Sequence, residues 1–265
     1  MQNDEEIKKI VKEKYDAIAQ GKSSCCSPVS SCCGGKDSYV NVQDNYESQK
    51  GYVKDADLGL GCGIPTDFAN IKEGDTVVDL GSGAGNDVFV ARAFTGAKGK
   101  VIGIDMTESM IEKALQNIKK TGFDNVDFRL GEIENIPVDT NMVDVVISNC
   151  VLNLVPNKEK AFAEIYRILK PGGHFCISDI VYIGEMPEAV LKSAAAYAGC
   201  IAGALKQDEY ISVINKTGFK GVEIKKTKTI DVPDYVIDSL EMSADIKIFR
   251  ENGGGIFSIT VVGTK

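Results

Sequence analysis

The stretch Thr76–Phe94, "TVVDLGSGAGNDVFVARAF", decides the fold. Its first five residues are apolar except for Asp79 and read as a short buried strand. A glycine loop follows, with Gly81, Gly83 and Gly85 on alternate positions. Glycine lets backbone N–H groups approach a ligand closely. Val88, Val90, Ala91 and Phe94 then mark a helix. Strand, glycine loop and helix in that order form the opening of a βαβ unit.

The same rhythm continues downstream. "KVIGID" (100–105) is a second strand, and Thr107 is placed to cap a helix with Met110, Ile111, Ala114 and Ile118 on its inner face, ended by Gly122. "VDFRL" (126–130) and "VDVVIS" (143–148) are further strands. The helix in "NKEKAFAEIYRILKPGG" stops at Pro171 and Gly172, and "HFCISDIV" (174–181) is a fifth strand. Alternation of this kind predicts a parallel sheet in an α/β fold. The last third departs from it. Residues 187–216 read as helical in two pieces, 221–232 and 256–264 as strands, and the region near Pro233–Ser243 as a helix. The final strand is expected to return antiparallel at the sheet edge.

Ahead of the core, residues 3–20 read as an amphipathic helix with a capping box from Asn3 and Glu6. Residues 21–38 form a Gly/Ser-rich loop that twice repeats Ser-Ser-Cys-Cys. The organisation is thus an N-terminal helix, Cys-rich loop and approach segment (1–75), a cofactor-binding core (76–185), and C-terminal helices and strands (186–265) that complete the sheet.

Composition narrows the function. With 265 residues and 43% hydrophobic content, a sizeable packed core is expected. A formal net charge of −8 disfavours a nucleic-acid partner, because phosphate binding needs a basic face. No apolar run reaches the roughly eighteen residues of a membrane span, so no membrane partner is expected. The opening "MQNDEEIKKI" is acidic and unlike a secretory signal. Eight cysteines in a long chain of this kind point to a reducing cytoplasm and thiols rather than a disulfide scaffold.

The acids around the loop select the ligand class. Asp105 ends the second strand, twenty-four residues after Gly81, where a carboxylate can accept from ribose hydroxyls. Nicotinamide enzymes and S-adenosylmethionine enzymes share that layout. The dinucleotide pattern asks for a glycine where this chain has Asn86. Asp79, two residues before Gly81, would repel a diphosphate but suits a cofactor bearing an ammonium and a sulfonium.

The run "VVDLGSGAGND…VIGIDMT…GEIENIP…ILKPGGHFCISD" resembles the class I S-adenosylmethionine-dependent methyltransferases. The resemblance implies a Rossmann-like, mostly parallel seven-stranded sheet with helices on both faces. It implies that Asp79, Gly81, Ser82, Gly83 and Gly85 line the methionine end of the cofactor. Asp105 would hold the ribose, Met106 would lie against the adenine, and Glu132 and Ile133 would meet the adenine edge. Asn149 would shape the cofactor side of the fourth strand's end.

The thiols carry the remaining signal. Cys150 falls just past the fourth strand, at the carboxyl edge where open parallel sheets bind ligands. Cys62 sits between Gly61 and Gly63, and Cys200 follows a small-residue helix. None has the close spacing of a zinc knuckle. Three thiolates in a pyramid suit a soft trivalent metalloid such as arsenite, whereas zinc prefers four ligands. Cys176 lies inside a strand and reads as a small core hydrophobe, and His174, the only histidine, as structural.

"GLGCGIP", "SNCVLNLV" and "AGCIAGAL" around such a core resemble the microbial arsenite methyltransferase family. That likeness implies Cys62, Cys150 and Cys200 as ligands of As(III), whose lone pair attacks the sulfonium methyl. It implies arsenite and methylated trivalent arsenicals, held as thiol adducts, as substrates. A thiol reductant of the thioredoxin or glutathione type would supply electrons. Cys25, Cys26, Cys32 and Cys33 are candidates for a thiol relay, with none singled out. A quinone- or sterol-type carbon or oxygen methyltransferase with incidental cysteines fits the same core, and a metalloid-sequestering protein fits the same thiols.

Overall fold

The computed structural model describes residues 4–21, 44–187, 203–231 and 243–265. Helix α1 (Asp4–Ala19) comes first. The core then runs β1 (Thr76–Leu80), α2 (Asn86–Thr95), β2 (Lys100–Asp105), α3 (Glu108–Thr121), β3 (Val126–Leu130), β4 (Val143–Asn149), α4 (Lys158–Ile168) and β5 (Leu169–Ile183). A two-residue strand β6 (Leu205–Lys206), α5 (Gln207–Thr217), β7 (Lys220–Thr229), α6 (Ser243–Glu251) and β8 (Gly255–Thr264) follow.

The strands lie in the order β3-β2-β1-β4-β5-β8-β7, with β6 paired to β5. Pairing is parallel from β3 through β5, and β8 runs antiparallel to both β5 and β7. The α/β Rossmann-like reading therefore holds. The final strand is antiparallel as expected, but it inserts between β5 and β7, leaving β7 at the edge. The alternating burial of β7 matches that place: one of its faces is open along its whole length.

Strand periodicity sorts the core into two layers, since successive side chains point to opposite faces. Val77, Val101, Val145 and Ile147 pack under α2 and α3. Val78, Leu80, Ile104, Val146 and Ile177 pack under α4 and α5. On the second side Phe162 of α4 is fully buried, edge-on to Phe175 at 6.1 Å and to Tyr210 of α5 at 5.7 Å. Those rings join α4 and α5 to the central sheet.

Several local expectations change. In α2 the buried ring is Phe89, while Phe94 is 38% exposed. Thr107 precedes α3, but its side chain makes no capping bond; Gly122 does close that helix at φ +69. Asn157 caps α4 by accepting from the Lys160 amide at 2.9 Å. The chain turns extended already at Leu169, one residue ahead of Lys170, which the following Pro171 disfavours in helical geometry. Asn3, 188–202 and 232–242 fall outside the described residues; of the helical region expected over 187–216, α5 (Gln207–Thr217) is the second piece, and helix α6 begins where the expected 233–243 helix was to end.

Phe162→Ala should lower unfolding stability by about 3–5 kcal/mol, the range for emptying a buried aromatic site. A denaturant titration followed by circular dichroism measures it, and a loss under about 1 kcal/mol would contradict the packing described.

Candidate active site

The sheet order reverses between β1 and β4, since β1 continues to β2 on one side while β4 lies on the other. Crevices at the carboxyl ends of strands open at such a point. An open cleft of about 1100 Å³ occupies it, walled by the loop after β1, the ends of β2 and β4, and by Lys8, Val11 and Tyr15 of α1.

Gly81, Gly83 and Gly85 all take positive φ, at 70°, 50° and 99°. A Cβ on Gly81 would lie 2.4 Å from Val151 Cγ2, so that glycine lets the loop after β1 close on the turn after β4. One expectation fails here. The loop amides are engaged inside the protein: Gly81 and Ser82 N–H donate to the Ile104 carbonyl (2.8 and 3.0 Å), Gly85 N–H to Ser82 (2.9 Å), and Gly83 N–H to Asp105 Oδ2 (3.0 Å). These four amides are therefore not presented outward as in a loop that cradles a phosphate.

The cleft presents carboxyl groups instead. Asp79, Asp87 and Asp105 all line it. Burial, reinforced by Asp87 and Asp105, holds the Asp79 carboxyl well above the usual carboxylate range. Burial raises Asp87 to about 6, against hydrogen bonds from Asn149 and Tyr46 that lower it. Asp105 is also raised by burial, with the amides of Thr107 and Gly83 opposing. Crowded acids in a low-dielectric cleft favour a cationic ligand. Two buried polar atoms on the wall, Ser82 Oγ and Asn86 Oδ1, find no partner among the described residues. These features fit a cofactor with a positive end and a polar nucleoside.

Of the thiols, Cys150 takes φ +61, one of three non-glycine residues with positive φ among the described residues. A non-glycine residue there costs on the order of 1–3 kcal/mol and persists only where the surroundings impose it. The imposing contact is the Cys150 N–H, which donates to the Ser178 carbonyl at 2.7 Å. The turn places Cys150 on the cleft wall and in a buried apolar cluster with Cys62, Leu154, Val11 and Ala204.

Cys62 is 1% exposed. Asn149 Oδ1 accepts from the amides of Cys62 (3.0 Å) and Gly63 (3.3 Å), and its Nδ2 donates to the Gly63 carbonyl (2.8 Å). Ser258 Oγ donates to the Cys62 carbonyl at 2.7 Å. A Cβ on Gly61 would come within 2.6 Å of Asn149 Nδ2, and one on Gly63 within 2.6 Å of Ser178 Oγ. The glycines beside Cys62 thus let its peptide lie directly on the ends of β4 and β5.

The structure brings Cys62, Cys150, Asn149, Asp79, Asp105, Met106, Glu132 and Ile133 around one cleft, with Cys62 just behind its wall. Glu132 is engaged by Lys8 of α1 at 2.7 Å, and Glu134 pairs with the same ammonium. Cys200, Cys25, Cys26, Cys32 and Cys33 lie outside the described residues. Cys176 is a core thiol, donating to the Pro65 carbonyl at 3.1 Å and pushed up by burial. His174 Nε2 sits 2.6 Å from the Ala69 carbonyl and ties β5 to the approach segment.

Sequence reasoning missed three parts of the site. Tyr46, 1% exposed, donates to Asp87 Oδ1 at 2.8 Å from a segment with no periodicity to flag it. Asp87, an acid in the first turn of α2, was not singled out. Behind the thiols, Asp179 is raised by burial to about 7, and buried Lys158 is lowered by burial to about 8. Tyr210 donates to Asp179 at 3.1 Å.

A family model described as a methyltransferase domain matches residues 71–218. An arsenite methyltransferase of Halobacterium salinarum is 39% identical, the match taking in 98% of this chain and 67% of that protein. This chain belongs to the arsenite methyltransferase family. The mouse arsenite methyltransferase is 34% identical over 81% of this chain and 58% of its own length. Among solved structures, an arsenic(III) S-adenosylmethionine methyltransferase from Chlamydomonas reinhardtii matches at a TM-score of 0.66, with 33% identity, over 77% of this chain and 67% of that one. Several members of the arsenite methyltransferase family are therefore substantially longer than this chain.

For this arsenite methyltransferase family member, the left-handed turn at Cys150 gives a stability test separate from chemistry. Cys150→Gly should melt within a few degrees of wild type, since relief of the backbone offsets the lost thiol packing. Cys150→Val should lose about 2–3 kcal/mol, because a β-branched side chain resists positive φ. Equal melting temperatures for the two variants would refute the strained geometry.

Proposed function

We propose that this protein methylates trivalent arsenic held on cysteine thiolates, with S-adenosylmethionine as methyl donor. The observation carrying the reading is the junction of two unlike surfaces at the β1/β4 switch point. One is a cleft of carboxyls whose loop amides are engaged elsewhere. The other is a buried thiol pair, Cys62 and Cys150, held together by Asn149 and the Ser178 carbonyl. Ala204, four residues past Cys200, packs in that same cluster, which supports Cys200 as the third ligand.

When bound, the cofactor supplies an electrophilic methyl on a positively charged sulfur. Asp79 and Asp87 would hold the cationic methionine end, and Asp105 and Glu132 the nucleoside. Cys62, Cys150 and Cys200 would hold arsenic through three As–S bonds, turning its lone pair toward the methyl group. Arsenic has no proton to lose, so the chain needs no general base, and positioning carries most of the rate. Transfer of the methyl onto the lone pair leaves arsenic formally pentavalent. A further thiolate then attacks one arsenic-bound sulfur and joins it as a disulfide; the electron pair of the broken As–S bond returns to arsenic, which is left trivalent with one methyl group and two thiolates. A thioredoxin-type dithiol, or two glutathione-type thiols, would reduce that disulfide, and the paired cysteines at 25–26 and 32–33 are candidates to relay the exchange. Arsenite would arrive as a thiol adduct in the reducing cytoplasm. Among the described residues no helix is long and apolar enough to cross a membrane.

Mass analysis of arsenic species after incubation with arsenite, S-adenosylmethionine and a thiol reductant tests the reading. Methylated arsenic should form with the wild type and fall by at least about a hundredfold in Cys62→Ser, Cys150→Ser and Cys200→Ser. Wild-type turnover persisting in all three variants would overturn it.

Cofactor binding should also release protons. A cation beside Asp79 and Asp87 favours their ionised forms, so affinity should weaken as pH falls through about 6, the value to which burial raises Asp87. Calorimetry at pH 6 in buffers of different ionisation enthalpy should give buffer-dependent heats. Identical heats across buffers would count against a carboxylate-lined cation site.

A further inference from the structure

Asn149 lies on the cofactor cleft and also grips the Cys62 peptide, and a third partner connects those two duties. Its Nδ2 donates to the Tyr46 hydroxyl at 2.8 Å and lies 3.1 Å from Asp87 Oδ2. Tyr46 in turn contacts both sides: its hydroxyl is 2.8 Å from Asp87 Oδ1 and 2.9 Å from the Gly63 carbonyl. Tyr46 has no place on the cleft wall, whereas Asp87 does. The four groups form a closed, buried ring of polar contacts, Asp87–Tyr46–Gly63–Asn149, in which the one Tyr46 proton and the two Asn149 Nδ2 protons are shared between the Asp87 carboxylate at one end and the thiol-bearing peptide at the other.

We propose that Tyr46 is a positioning residue that couples the two sites, so that a cation bound in the cofactor cleft tightens the grip on Cys62 and raises affinity for trivalent arsenic. This rests on the activity proposed above. The physical chain is short. A positive group in the cleft polarises Asp87, and hydrogen bonds to a charged acceptor are shorter and roughly twice as strong as neutral ones. Tyr46 and Asn149 Nδ2 are then drawn to one orientation. Fixing Nδ2 fixes Oδ1 on the opposite side of the same amide, where it receives the Cys62 and Gly63 N–H groups. Networks of this kind are cooperative, and a member removed from the middle weakens its neighbours. Coupling is reciprocal: arsenic on Cys62 must tighten the cofactor by the same factor.

The consequence for the reaction is ordering. Arsenic would be drawn onto Cys62 most strongly when a methyl donor is already in place, which limits idle occupancy of the thiols by a tightly held metalloid. Tyr46 touches neither reactant, so its effect should fall on the arsenite KM, with kcat at saturation little changed.

The test is a binding cycle on the full chain. Arsenite uptake is measured by equilibrium dialysis, with and without sinefungin, a nonreactive cationic cofactor analogue. In the wild type the analogue should tighten arsenite by about fivefold or more. In Tyr46→Phe the ratio should fall below about twofold, with each ligand's affinity measured alone changed no more than that. Hydrogen exchange adds a second readout: sinefungin should slow exchange at the Cys62 and Gly63 amides in the wild type but not in the variant. A merely structural tyrosine would lower both affinities together and leave their ratio intact, and that result overturns the proposal. Should Tyr46→Phe not fold, Asp87→Asn is read by the arsenite ratio alone, at sinefungin concentrations that saturate the variant: its own cofactor affinity is expected to fall, and the ratio should again drop below about twofold because an amide can still meet Tyr46 but cannot take the charge. A wild type that binds the analogue but no arsenite defeats the proposed activity, and this coupling with it.

Discussion

Everything in the site depends on the parallel pairing of β1 with β4. Val77 to Leu80 lie against Val145 to Ser148 in unbroken register, so both strands end at the same edge. One ends in the glycine loop and the other in Asn149 and Cys150. Because the chain leaves β1 toward β2 and reaches β4 from the other side, nothing crosses the gap between them. Ser148 Oγ donates to the Leu80 carbonyl at 2.9 Å and locks the two ends together. A slip of one residue would turn Asp79 from the loop side to the opposite face and move Cys150 off the edge.

The two halves of the site rest on different physics. The cofactor half is electrostatic: buried acids raised above their ordinary values are unfavourable alone and relieved by a cation. The thiol half is geometric. Cys150 is forced into a left-handed turn by one backbone hydrogen bond, and Cys62 is laid against two strand ends by flanking glycines that leave no room for a side chain. Strain of this sort commonly accumulates where function needs a fixed orientation. Asn149 belongs to both halves, which explains why an amide, with a donor and an acceptor on one plane, occupies that position.

Much of this was legible in the residues, and the failures have physical causes. Regular strands and helices with period 2 and period 3.6 patterns were read correctly, and Asp79, Asp105, Asn149, Cys62 and Cys150, all singled out in the sequence, lie on one cleft or just behind its wall. The resemblance of three cysteine motifs to a known family carried the metalloid reading further than spacing could. The place of the final strand was misjudged, because chain order does not reveal that β8 inserts beside β5. The inward direction of four loop amides was not legible, since a glycine pattern shows that backbone can approach a ligand but not which way its N–H groups point. Tyr46 gave no signal at all: its partners lie 17, 41 and 103 residues away, and only tertiary structure makes them neighbours.

The engaged amides of the glycine loop have a further consequence for life among nucleotides. ATP and NAD carry the same adenosine as the proposed methyl donor. Each would enter this cleft with phosphates, and would meet Asp79 and Asp87 where those phosphates require N–H donors. The bias against phosphates thus comes from inward-turned amides together with buried carboxyls, and not from a steric barrier on the adenosine side.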